Sequence, residues 1–324
     1  MSRCTLLVVS AVRDEEAHIE RTAAALQRQR RQPDLWLVVD DGSSDRTPQL
    51  LAALRVRLPF MRTLSMPQCG KRARDGLAEA REIAGFDYAL ASVHWRSYTH
   101  IAKLDGDIEL PGDYFDQLLA RFARDPLLGL AGGVYAERCR GGRSWRVQSV
   151  PNEHHVAGAL KCYTRECLVA IGGLQERLGW DTIDETYARM CGFRTRSFPD
   201  LIAFHHRPWG SASGRLRGRA RHGACAYITH YPLPWILARS LKVALARPRG
   251  LSGAAFVAGY LHAAALRVER VPDKSYRSFV RHELRGRLRR APRALLRGRA
   301  QLEAGTAPPP SHTFPDQVVT AQLK

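Results

Sequence analysis

The stretch Leu35-Trp36-Leu37-Val38-Val39-Asp40-Asp41-Gly42-Ser43-Ser44-Asp45 decides how this chain folds. Five consecutive apolar residues, closing on two valines, suit a strand covered on both faces. The run stops abruptly at carboxylates and small polar residues, which is turn chemistry. Thr47 as N-cap and Pro48 at the first helical position then open a helix through about Val56. Similar units lie on either side. Thr5–Ser10 reads as a buried strand ending near Arg13-Asp14-Glu15-Glu16, and Glu15–Gln29 as a helix with Ile19, Ala23 and Leu26 on one face. Arg62–Ser65 is a short strand and Lys71–Ile83 a helix. Ile101-Ala102-Lys103-Leu104 is a strand feeding Asp105-Gly106-Asp107. Tyr114, Leu118, Leu119 and Phe122 form a helical stripe, and Leu128–Val134 is another strand. Short strands follow near Arg194–Phe198 and Leu201–Phe204. This alternation predicts an α/β fold, a mostly parallel sheet with helices on both faces. Ligands of such sheets collect beyond the C-terminal strand ends, where three acidic clusters fall.

The chain has 324 residues and a formal net charge of +19. Residues 1–206 carry 28 Lys+Arg against 26 Asp+Glu, whereas residues 207–324 carry 22 against 5. A near-neutral domain over 1–206 is therefore followed by a basic extension over 207–300 and a Pro-rich, disordered tail over 301–324. Stretches 222–238 and 251–266 lack Asp, Glu, Lys and Arg, but at 17 and 16 residues both are short for a spanning helix. Two arrangements suit them: amphipathic helices lying on a membrane surface, or a helical subdomain packed on the core. Arg138–Arg143 reads as a flexible basic loop. Seven cysteines without a Cys-x-x-Cys pair speak against a disulfide framework or structural zinc and suit a reducing compartment. The start of the chain reads as a strand and not as a signal peptide.

Asp105-Gly106-Asp107 is the sharpest chemical element. Two carboxylates flanking a glycine at the end of a buried strand can converge on one hard cation, Mg²⁺ or Mn²⁺, that also holds substrate phosphates. Asp45 and Thr47 suffice to cap a helix, so Asp40 and Asp41 remain for hydrogen bonds to a ligand.

Together these motifs resemble the family 2 glycosyltransferases of GT-A fold. Ala11-Val12-Arg13-Asp14-Glu15-Glu16 resembles the family's first-strand motif, with Ala11 and Arg13 in place of its proline and aromatic. Val39–Asp45 resembles Val-Asp-Asp-Gly-Ser-x-Asp, and Lys103–Asp107 the Asp-x-Asp signature. Gly172-Gly173 followed by Trp180-Asp181-Thr182-Ile183-Asp184-Glu185 sits where the family has Gly-Gly-Phe and then its acidic catalytic motif. The resemblance runs from residue 5 to about 206. It implies a Rossmann-like GT-A sheet and a nucleotide-binding group of Ala11, Arg13, Glu15, Asp41, Lys71 and Asp105. It further implies a metal held by Asp107 and Asp105 with His205 of the pair His205-His206, and a base among Asp181, Asp184 and Glu185. Counting back from Gly192 favours Asp181, whereas helix phase relative to Arg189 favours Asp184 or Glu185.

The activity implied is inverting transfer of a sugar from a nucleotide-diphosphate donor to a hydroxyl acceptor, lipid-linked or saccharide. The resemblance places it in glycolipid or cell-surface polysaccharide synthesis, in the cytoplasm at the inner face of the cell membrane. A sugar-phosphate nucleotidylyltransferase would carry a glycine-rich loop where Ala11-Val12-Arg13-Asp14 stands. A nucleic-acid partner is not expected, because the aromatics are not interleaved with the basic residues.

Overall fold

The structure, a computed structural model, describes residues 4–66, 78–138, 145–148, 154–207, 214–245 and 248–287. The chain divides into two compact units, Met1–Pro208 and Trp209–Lys324.

In the first unit the elements run β1 (Leu6–Val12), α1 (Ile19–Gln27), β2 (Leu35–Asp40), α2 (Thr47–Arg57), β3 (Met61–Ser65) and α3 (Ala78–Ala91). They continue with β4 (His100–Leu104), β5 (Ile108–Glu109), α4 (Tyr114–Arg124), β6 (Leu128–Arg138), β7 (Trp145–Val147), β8 (Leu160–Thr164), α5 (Arg165–Ala170), α6 (Trp180–Met190) and β9 (Arg194–His205). One sheet results, in the order β3-β2-β1-β4-β8-β6-β9-β5, with β7 on β6. Strands β3, β2, β1 and β4 are parallel, as are β6 and β9, while β8 is inserted antiparallel between β4 and β6.

The apolar runs are continuous because both faces of the sheet are covered. Leu6 and Val8 of β1 point to one side, where α1 (Ile19, Ala23, Leu26), α2 (Leu51, Leu54) and α4 (Phe115, Leu118, Phe122) pack. Leu7 and Val9 point to the other, against α3 (Ile83, Phe86), α5 (Cys167, Leu168) and α6 (Trp180, Ala188). Register brings Val12 beside Asp40 and Val9 beside Lys103, so β1, β2 and β4 end along one rim.

Local expectations shift in three places. The first helix starts at Ile19 and not near Glu15, because Asp14 takes a left-handed φ of 53° and the residues after it turn. Thr47 is the first residue of α2, not its cap; Arg46 holds the cap position, and the Thr47 hydroxyl accepts the Glu15 amide at 2.8 Å. The two strands expected near 194 and 201 are one strand, β9, whose pairing with β6 shifts register between Gly133 and Val134. Lys71, residues 139–144 of the basic loop and the tail over 301–324 lie outside the described residues.

The second unit contains α7 (Arg215–Ile228), α8 (Leu233–Ala244), α9 (Leu251–Ala265) and a helical segment over 274–287. The uncharged stretch 222–238 is broken by His230, at φ 61°, and Pro232 into the end of α7 and the start of α8. Ala226, Ile236 and Phe256 form its small core. Helices α7 and α9 approach backbone to backbone: a Cβ on Gly259 would fall 1.9 Å from the Ala220 carbonyl oxygen. Among the described residues no helix is long and apolar enough to cross a membrane.

Candidate active site

Two loops at the rim are stitched together by their own polar groups. Asp40 Oδ1 accepts the Ser43 amide at 3.0 Å, and Asp14 Oδ1 accepts the Ser44 amide at 2.7 Å. The Ser44 amide holds the Asp14 carboxyl below its usual range. Asp45 accepts the amides of Glu16 and Thr47. Glu16 accepts the Arg46 amide at 3.1 Å, so four acids are occupied in shaping the loops, which leaves Glu15 and Asp41. Asp41 pairs with Arg81 of α3 at 2.7 Å. Glu15 is buried and accepts Arg207 Nη2 at 2.7 Å. Burial, with Asp107 nearby, pushes the Glu15 carboxyl up to about 8. Of the two positions that depart from the family pattern, Ala11 lies half-buried at the end of β1, and Arg13 is exposed and pairs with Asp14.

Beyond β4 the chain makes its tight turn at Gly106, where a Cβ would press on Val12 at 2.8 Å and on Glu15 at 3.3 Å. That close approach draws the Asp105–Asp107 turn against the first loop. Asp105 Oδ1 accepts Lys103 Nζ at 2.5 Å, and the buried Lys103 also contacts Glu82. Asp107 is buried. Its Oδ2 meets His205 Nε2 at 3.3 Å and Arg207 Nε at 3.6 Å, whereas Oδ1 is buried without a hydrogen-bond partner. His205 Nδ1 lies 3.7 Å from Glu137. Burial opposes the charged imidazole, but the hydrogen bond to Asp107 and the nearby Glu137 carboxylate outweigh it and raise its pKa to about 10. His206 turns to Glu109, at 2.8 Å.

The 181–185 acids divide sharply. Gly179, at φ 85°, caps α6 and places Asp181 in its first turn, half-buried, where the helix dipole favours an anion. Asp184 and Glu185 point inward and are 3% exposed each. Lys161 Nζ, fully buried, lies 2.8 Å from both Asp184 oxygens, 3.2 Å from Glu185 and 2.5 Å from the Asp181 carbonyl oxygen. The Tyr163 hydroxyl donates to Asp184 at 2.5 Å, and the Val156 amide to Glu185 at 2.7 Å. His155 completes the group, 3.2 Å from Glu185, which raises the histidine pKa despite burial. Burial holds Asp184 up at about 6, while Lys161 and His155 overcome burial and hold Glu185 low.

Lys103 and Lys161 are direct partners across β4 and β8, an unfavourable pairing unless each has its own acids. Each does, and the Trp180 ring takes both ammonium groups, at 5.1 and 5.3 Å from its centroid. Burial and the charges of Glu137, Asp105 and Asp181 push the Tyr135 hydroxyl up to about 12.

The model of the family "Glycosyl transferase family 2" matches residues 7–172, just over half of the chain. The chain belongs to this family. Solved structures agree on the fold. A mannosyltransferase from Pyrobaculum calidifontis in complex with GDP-Man and Mn²⁺ superposes with a TM-score of 0.52 at 18% identity, covering 86% of this chain and 84% of its own. S. aureus TarS 1–349 in complex with UDP-GlcNAc gives 0.51 at 13% identity, over 82% and 73%. GalNAc-T7 with UDP, GalNAc and Mn²⁺ gives 0.52 at 12% identity, over 75% and 51%. Comparison with curated proteins returns no match.

This glycosyltransferase therefore gathers Glu15, Asp105 and Asp107 closely and sets Asp41 and Asp181 along the same rim. Sequence reasoning missed Arg81, Lys103, Lys161, His155 and Arg207. A lysine inside an otherwise apolar strand was the available signal for two of them. His18 was also missed; it lies within the field of Asp107, with a buried Nδ1 that has no hydrogen-bond partner.

Proposed function

We propose that this glycosyltransferase is an inverting, divalent-cation-dependent enzyme that moves a sugar from a nucleotide-diphosphate donor to a hydroxyl acceptor. The observation that carries the proposal is the division of the acids: Asp184 and Glu185 are consumed by Lys161, while Asp181 stays beside Gly158, whose carbonyl oxygen accepts the same Lys103 ammonium that holds Asp105.

The residues fit a divalent cation. Asp107 offers a buried carboxylate oxygen that lacks a partner, a donor that suits Mg²⁺ or Mn²⁺, and His205 on its other oxygen would join it as a ligand only after losing its proton. Among the described residues no group of three or more His, Cys, Asp or Glu closes around a metal. Such ions commonly take their remaining ligands from substrate phosphates and water. When bound, the cation neutralises charge on the leaving diphosphate. Glu15 and Asp41 bind the nucleoside with Ala11 and Arg13 beside it, Asp105, oriented by Lys103, faces the donor, and a role for Lys71 toward the phosphates rests on the sequence resemblance alone.

Asp181 takes the proton of the acceptor hydroxyl as that oxygen bonds to the anomeric carbon from the face opposite the diphosphate. The anomeric carbon–oxygen bond to phosphate breaks, and the nucleoside diphosphate leaves with the electron pair. Asp184 and Glu185 position Asp181 and do not touch substrate. The basic second unit supports work at the inner face of the cell membrane, in glycolipid or cell-surface polysaccharide assembly.

The test is nucleoside diphosphate release from a donor panel with Mn²⁺ and a membrane-lipid extract as acceptor. Asp181→Asn lowers turnover at least ~100-fold while keeping the thermal shift with nucleoside diphosphate. Wild-type turnover by this variant with every donor the parent uses would show that the base lies elsewhere.

A further inference from the structure

Helix α8 has one face in the core of the second unit, with Ile236 fully buried and Val243 packed beside it. The opposite side carries Leu233, Leu237, Leu241 and Leu245, at 53%, 53%, 73% and 77% exposure. Their spacing of four keeps them on one side of the helix over roughly 18 Å. Pro234 and Ala238 are exposed between them, and no charged residue interrupts the stripe. Lys242, exposed, borders it, whereas the half-buried Arg239 lies with its guanidinium over the Phe256 ring. Leu251, Leu261 and Leu266 of the following segment are exposed as well. Of the thirteen large apolar residues exposed among the described ones, eight lie in this unit and all eight are leucine. Scattered surface leucines need no explanation, but a continuous aligned row does.

Charge selects what covers the row. The described residues of this unit carry 14 Lys+Arg against 3 Asp+Glu. A second copy docked on this face would bring two strongly basic surfaces together, whereas an anionic bilayer attracts one. The face also lacks the exposed Trp and Tyr anchors on which protein interfaces usually depend. Aliphatic side chains bordered by long cationic ones are the composition of a helix lying in a lipid headgroup region.

We propose that the Leu233–Leu245 row is a membrane-insertion face, which enters the interface of an anionic bilayer while the surrounding arginines and lysines bind lipid phosphates. This deepens the membrane part of the function proposed above, on which it rests, and assigns binding to apolar insertion as well as to charge.

The test is flotation of the full chain with phosphatidylcholine vesicles, with and without phosphatidylglycerol. The key variant is Leu237→Lys/Leu241→Lys, which adds positive charge while removing the apolar face; Leu241→Ser/Leu245→Ser repeats the test at the two most exposed positions. The wild type is expected to float only with anionic vesicles, and the lysine variant to lose at least about tenfold in partition, with unchanged melting temperature. The serine variant falls in the same direction. If the wild type floats and the lysine variant floats equally or better, charge alone docks the enzyme and the insertion face is refuted. If the wild type floats with neither vesicle, membrane association itself is refuted. A wild-type dimer in solution that the same substitutions split would assign the face to a second copy. A lower melting temperature of both variants without vesicles would assign it to the chain's own residues. Either outcome overturns the proposal.

Discussion

Replacing Lys161 with methionine removes a fully buried ammonium whose Nζ touches Asp184, Glu185 and the Asp181 carbonyl oxygen. The variant keeps the chain length and leaves two buried carboxylates with only His155 to balance them. Breaking a buried ion pair from one side costs about 3–5 kcal/mol, a large part of a stability of about 5–15 kcal/mol. At about 2–4 °C per kcal/mol for a domain of this size, the melting temperature falls by roughly 6–20 °C at pH 8. The pH dependence has a definite sign. Asp184 already sits at about 6 because of burial, above its unfolded value, and loss of Lys161 raises it further. A carboxyl raised in the fold contributes stability below its unfolded pKa and loses it as pH rises through the folded one. The penalty is therefore greatest at pH 8 and smaller at pH 5, where Asp184 holds its proton. Adding Asp184→Asn and Glu185→Gln to Lys161→Met recovers most of the stability, because the buried charges disappear together. Denaturant unfolding of the three proteins at both pH values measures this. A Lys161→Met protein within about 0.5 kcal/mol of wild type at pH 8 would refute the assignment of a structural role to the group.

Asp107→Asn removes the carboxylate that His205 faces but also the charge that repels Glu15, so the free protein still folds, with a melting temperature no more than about 10 °C below wild type. It abolishes the extra stabilisation that Mn²⁺ adds to nucleoside diphosphate, which for wild type approaches about 2.7 kcal/mol at a hundredfold excess over Kd, read by thermal shift. Asp87 of α3 is pushed up to about 7 by burial and by Glu176. It stabilises the fold only below its unfolded pKa and costs stability as pH rises through 7, so Asp87→Asn gains about 2 kcal/mol over wild type at pH 8, after allowance for partial exposure, and nothing at pH 4. Urea midpoints at the two pH values check this.

Much of the rim was legible because it obeys one simple rule. Strands buried on both faces are nearly pure apolar runs, so the charged residue that closes each run marks where the strand leaves the sheet. Val39-Asp40, Leu104-Asp105 and Val12-Arg13 all show this boundary. The start of the first helix was not legible, because Glu15 and Glu16 look like helix formers and only the bonds to Thr47 and Asp45 reveal a loop. The roles of the 181–185 acids were not legible either. Which acid faces inward depends on where α6 begins, and Gly179, through its left-handed φ, fixes that start one residue before Asp181.

The two buried lysines explain why this information is absent from any local stretch. Lys103 and Lys161 are 58 positions apart in the chain and become neighbours only through the antiparallel β4–β8 pairing. Each ammonium then selects carboxylates from a different segment: Lys103 takes Asp105 and Glu82, and Lys161 takes Asp184 and Glu185. A carboxylate so paired loses freedom to exchange protons with a substrate but gains a fixed position. Asp181 has only its backbone carbonyl bound by Lys161, and its side chain stays outside the pairing. One cation therefore both removes two acids from the chemistry and anchors the helical turn that presents the third.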